Sequence, residues 1–79
     1  MKYKKSYTEE EVKTLYGWYD STKPKGEIDM GHGLYVADIE TLFDNSRKAV
    51  MEKFDNVTYS GQIQLLFRVQ EAWEKKQAE

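Results

Sequence analysis

The chain has 79 residues, 39% of them hydrophobic and 14% aromatic, with a formal net charge of −2 and no cysteine. That length fits one domain with a single modest core and excludes a multidomain architecture. The missing cysteines exclude disulfides and thiolate metal sites, while the charge balance neither requires nor excludes a polyanionic partner.

The first residues, with Lys2, Lys4 and Lys5, lead into Ser6-Tyr7-Thr8-Glu9 with no apolar stretch behind them, so no secretion signal is expected. Thr8 and Glu11 stand at the two positions of a capping box, and Tyr7 and Val12 at those of a hydrophobic staple. Glu9, Glu10 and Glu11 place negative charge at the positive end of a helix dipole. Val12, Leu15, Tyr16 and Tyr19 then recur at helical spacing, with Trp18 widening the stripe. These signals predict a helix over about 8–20. Gly17 lies inside it, at a cost of roughly 1 kcal/mol relative to alanine unless a close contact needs it.

Pro24 and the glycines at 26, 31 and 33 rule out a continuous helix across 20–37. Ile28 and Met30 alternate, as do Leu34 and Val36, around Gly31-His32-Gly33. That pattern fits either an extended strap or a tiny hairpin over 27–37. Asp38 is the natural cap of a second helix over about 38–54. Its inner stripe is Ile39, Leu42, Phe43, Ser46, Val50 and Phe54, with Glu40, Asp44, Arg47 and Lys48 opposite. Asp44 and Lys48 are spaced for an ion pair. Asp55-Asn56 closes that helix, and Thr58 or Ser60 starts a third over about 59–76. The third is striped by Ile63, Leu66, Phe67, Gln70 and Trp73, with Tyr59 and Val69 alongside. The short link predicts that the second and third helices pack antiparallel.

Taken in order, these features resemble a family of small uncharacterised helical domains encoded mainly by gut-dwelling Gram-negative anaerobes. The resemblance rests on acidic residues before an aromatic-rich short helix, on Pro24, on Ile28-x-Met30 and on Gly33-x-Tyr35-x-x-Asp38-Ile39. It continues through the long helix with Phe43 and Ser46 to a closing helix between Tyr59 and Trp73. It covers nearly the whole chain. It implies a compact three-helix fold and carries over no activity and no catalytic residue.

Reactive chemistry finds little support in the residues. His32 is the single histidine, and with Asp29 it falls short of the three or four converging ligands a metal needs. The flanking glycines read as a turn that accepts positive φ. Glu40 and Asp44 lie on a hydrophilic helix face beside basic residues. Ser6, Ser21, Ser46 and Ser60 lack a recognisable base or elbow, and Gly-His-Gly lacks the ending of a phosphate loop.

Nucleic-acid recognition is the rival reading. The second and third predicted helices would act as a helix-turn-helix offering Gln62, Gln64 and Arg68, with a patch of Lys2, Lys4, Lys5, Lys13, Lys23 and Lys25. The ten acids of residues 26–79, set against six basic residues there, oppose it. The aromatic surplus favours a protein-binding surface instead, since tyrosine and tryptophan are over-represented where proteins meet.

The sequence therefore predicts one domain over 1–79, mainly α, with residues 1–6 and 77–79 frayed. Its architecture is a compact three-helix bundle with an extended strap or tiny hairpin at 27–37. The expected role is a non-catalytic, cytoplasmic interaction or accessory module without cofactor, metal or membrane span. A protein partner or a second copy would cover a patch of Trp18, Tyr35 and Tyr19. A helix-turn-helix nucleic-acid module is the alternative.

Overall fold

A computed structural model describes residues 6–31, 33–54 and 60–78. Helix α1 covers Glu9–Thr22, and strands β1 (Ile28–Gly31) and β2 (Leu34–Val36) form an antiparallel hairpin. Helices α2 (Ile39–Glu52) and α3 (Ser60–Ala78) complete the described chain. The radius of gyration is 12.0 Å, close to the roughly 11.6 Å expected of a compact chain this long. The architecture is mainly helical, but the hairpin takes it away from a pure three-helix bundle.

The capping box at the start of α1 forms in full. Thr8 Oγ1 accepts from the Glu11 amide at 3.1 Å, and the Thr8 amide donates to Glu11 Oε1 at 3.0 Å. Val12, Leu15, Tyr16 and Tyr19 are buried, as their spacing predicts. The helix runs two residues past the expected end and stops at Lys23, whose backbone is left-handed (φ 50°, ψ 54°). Pro24 follows and prevents further helix. Tyr7, just ahead of the cap, is buried and stacks on Phe67 of α3 with ring centroids 5.0 Å apart, tying the start of α1 to the third helix.

Of the two readings of 27–37, the hairpin is the one that forms. Gly31 and Gly33 both adopt φ 78°, the left-handed region that favours glycine. Ile28 pairs with Val36, Asp29 with Tyr35, and Gly31 with Leu34, with a bulge between Asp29 and Gly31. The bulge gives Met30 no direct partner and bends the strand. Asp29 Oδ1 accepts from the Gly31 amide at 2.8 Å, which satisfies a donor in the turn. Ile28 faces the core, and β1 lies against α3. A backbone bond from the Ile39 amide to the Gly26 carbonyl (3.2 Å) fastens the segment before the hairpin to the start of α2.

Asp38 caps α2 through a 3.0 Å bond from the Thr41 amide, and these bonds lower its carboxyl pKa. Ile39, Phe43, Ser46 and Val50 are fully buried, and Leu42 is half-buried. The helix ends at Glu52, two residues short of the predicted limit, so half-buried Phe54 reaches the core from beyond it. Ser46 is small enough for close approach of α3, and its hydroxyl accepts from Gln62 Nε2 at 2.7 Å. Ile63, Leu66 and Val69 form the buried stripe of α3, while Phe67, Gln70 and Trp73 are half-buried. The expected cap at Thr58 and the turn at Asp55-Asn56 lie outside the described residues.

Phe43 occupies the centre of this packing. The Tyr19 ring stacks on it at 4.7 Å with a 6° interplanar angle, Tyr16 meets it edge-on at 6.3 Å, and Trp18 tilts over it at 5.9 Å. Truncating a buried phenylalanine costs about 3–5 kcal/mol. A domain of this length holds only on the order of 4–12 kcal/mol in total. Phe43→Ala is therefore expected to remove a large fraction of the stability, seen as a strongly lowered urea midpoint; a native-like midpoint would contradict the central position of this ring.

Gly17 has the opposite character. A Cβ built there meets nothing within 4 Å, so no close approach needs the glycine. Gly17→Ala should raise stability by about 0.5–1 kcal/mol, read as a higher urea midpoint at unchanged slope.

Candidate functional site

Core and surface meet at Tyr19. Its ring is buried against Phe43, and its hydroxyl lines a cleft of about 310 Å³ between the end of α1 and the first half of α2. Asp20, Lys23, Pro24 and Lys25 contribute from the α1 side, and Glu40 and Asp44 from α2. The Tyr19 hydroxyl donates to Asp44 Oδ1 at 3.0 Å and lies 3.5 Å from the Glu40 carbonyl oxygen. Burial comes first, then the bond to Asp44 and the negative charges of Asp44, Glu40 and Asp20. Together they push its pKa up to about 12.

Asp20 is held by Arg47, whose Nη1 donates to Asp20 Oδ1 at 2.5 Å and joins α1 to α2 at the cleft's edge. The same guanidinium sits 5.7 Å from the centroid of the Tyr16 ring. The Tyr16 hydroxyl is buried with no hydrogen-bond partner among the described residues. Burial pushes its pKa up to about 12, with Arg47 opposing.

One expectation about charge needs correction. Asp44 does not pair with Lys48; its carboxylate receives the Tyr19 hydroxyl instead, because the helix turns it toward α1. Lys23, Lys25 and Glu40 enter no ion pair with any described residue, although all three border one cleft. Sequence reasoning placed Lys23 and Lys25 in a basic patch for nucleic acid and missed the cleft they border. The available signal was a lysine immediately before Pro24, at the end of a helix where glycine is usual.

The residues of the expected patch, Trp18, Tyr35 and Tyr19, differ widely in exposure. Tyr19 is buried, and half-buried Trp18 packs its ring toward Phe43. Tyr35 stands in water at 59% exposure and makes no ring contact with either among the described residues. Its hydroxyl donates to Glu27, and that bond leads the upward shift of its pKa. The residues proposed for base recognition differ in their surroundings. Gln62 is bonded to Ser46, and Gln64 and Arg68 are half-buried. Lys13 pairs with Glu9 at 3.7 Å. Lys2, Lys4, Lys5 and His32 lie outside the described residues. Among those described, no three histidine, cysteine or acidic side chains gather to hold a metal ion, and no helix is long and apolar enough to cross a membrane.

No family model, curated protein or solved structure matches the chain.

The raised pKa values of the buried Tyr16 and Tyr19 predict an alkaline limit on the fold. Below the ordinary value of 10.0, folded and unfolded chains both keep these phenol protons. Between pH 10 and about 12 the unfolded chain releases them while the folded chain holds them, so stability falls as pH rises. Urea midpoints should thus decline across that window in the native sequence. Replacing both Tyr16 and Tyr19 by phenylalanine should flatten the decline; an unchanged slope would remove the two groups as its cause.

Proposed function

We propose that this chain is a non-catalytic interaction module that meets a protein partner through the outer face of its hairpin. The single observation behind this reading is Tyr35, the one large hydrophobic side chain among the described residues left mostly in water. Tyrosine supplies a large, rigid contact area that is half apolar and half polar. Its hydroxyl is steadied by Glu27, and Asp29 stands opposite it across the ladder. Neither carboxylate has a cationic partner among the described residues, so a basic group on the partner would complement the face. A second copy would bring the same acids against these, which disfavours self-association through this face. A cysteine-free chain suits a reducing compartment, and we place the module in the cytoplasm on that ground.

A photo-crosslinking residue at position 35, compared with one at exposed Ala78, tests the proposal in the native host. A discrete adduct with a second protein at position 35 only, abolished by Glu27→Lys with Asp29→Lys, is the expected result. An adduct with the chain itself, or an identical pattern at both positions, would overturn it. Because Tyr35 lies outside the core, Tyr35→Ser should leave the urea midpoint unchanged while removing the partner.

A further inference from the structure

The cleft beside Tyr19 stands apart from the hairpin face and owes nothing to the role of Tyr35. Its rim is bipolar. Lys23 and Lys25 flank the buried Pro24 on one side, and Glu40 and Asp44 stand one helical turn apart on the other. Asp20 is already neutralised by Arg47, which leaves two ammonium groups facing two carboxylates. These do not collapse onto each other, since no ion pair crosses the cleft among the described residues.

The surrounding structure holds the space open. Pro24 is anchored in the core, the Gly26 carbonyl is tied to Ile39, and Asp44 is held by the Tyr19 hydroxyl. Two features of the rim oppose stability. Glu40 and Asp44 are like charges at i and i+4, an arrangement that destabilises a helix. Lys23 is the only described residue other than glycine with positive φ, at a helix end where glycine would rest without strain. Backbone strain of this kind clusters at binding and switching sites, where the surrounding fold enforces it. Here it carries an ammonium to the cleft.

We infer that the α1–α2 cleft binds a small zwitterion of about dipeptide size, its ammonium against Glu40 and Asp44 and its carboxylate between Lys23 and Lys25. The volume of about 310 Å³ has room for such a molecule. A simple cation would leave the lysines facing one another, and a simple anion would leave the carboxylates doing so. Only a ligand bearing both charges, set apart, satisfies both walls.

The test is an amide-resolved NMR titration of the full chain with glycylglycine. N-acetylglycylglycine, which lacks the ammonium, and glycylglycinamide, which lacks the carboxylate, run alongside. Saturable shifts are expected at residues 19–25 and 40–44 with glycylglycine in the range of about 1–10 mM, and at least about tenfold weaker binding of either capped peptide. Lys23→Gly supplies the decisive variant: its urea midpoint should rise as the strain is relieved, while glycylglycine affinity falls at least about threefold. Lys25→Gln and Glu40→Gln should weaken binding with little change in midpoint. Non-saturating shifts, equal binding of the capped peptides, or full affinity in Lys23→Gly would each overturn the inference. None of these results bears on the crosslink at position 35, so the two proposals stand or fall separately.

Discussion

The near-parallel stack of Tyr19 on Phe43 is the contact on which the rest of the molecule depends. It joins α1 to α2 through rings 4.7 Å apart, and aromatic pairs of this kind contribute about 0.5–1.5 kcal/mol beyond their buried area. Its larger effect is geometric. A ring held flat against Phe43 sends its hydroxyl outward along one line, and that line ends at Asp44. Tyr16, edge-on to the same phenylalanine, helps prevent the ring from turning. The position of a polar group at the surface is thus decided by packing underneath it. A cleft on so small a domain can be preorganised only if the core reaches it directly, and here one side chain belongs to both.

The third helix and the hairpin form the counterpart to this pair. Tyr7 stacks on Phe67, so both ends of α1 are clamped by aromatic contacts, one to α2 and one to α3. The Ser46–Gln62 bond adds a polar link between α2 and α3 at a position where a larger residue would separate them. Ile28 inserts from the hairpin, which closes a core that three short helices alone would leave open. This is why the chain departs from a plain bundle. The 20–37 segment supplies packing as well as connection.

Much of this was legible beforehand, for identifiable reasons. The Thr8–Glu11 box and the Asp38 cap are short-range, so their residues alone determine the bonds. The α2 stripe was legible because every third or fourth apolar position pointed the same way. Helix ends were off by two residues because a terminal turn is decided by tertiary contacts and by backbone states such as that of Lys23. The choice between strap and hairpin was open because Ile28-x-Met30 and Leu34-x-Val36 alternate equally well in either. Tyr19 was read two ways, in the buried stripe of α1 by its spacing and in a surface patch by the aromatic surplus, and the spacing was the better guide. Tyrosine serves as core or as rim with equal ease, so composition alone cannot choose between them. The cleft itself was invisible, because its walls come from segments twenty residues apart and their charges read as ordinary solvated surface.

The local penalties in the chain differ in kind, and the difference bears on function. Gly17 weakens α1, and a Cβ built there would meet nothing within 4 Å among the described residues, so its cost has no visible return. Lys23 also weakens the fold, yet its strained backbone delivers a charge to a concave surface opposite two carboxylates that repel each other. Tyr16 buries a hydroxyl that has no hydrogen-bond partner among the described residues, and its ring lies under Arg47, the residue that neutralises Asp20 at the same rim. Unfavourable terms scattered at random over a marginally stable domain would carry no message. Two of these three converge, through Arg47 and Asp20, on the space that Tyr19 defines. Sequences otherwise consistent from cap to core tend to break local rules where binding requires it. The cleft is therefore better read as a surface kept at the expense of stability than as a gap left by imperfect packing.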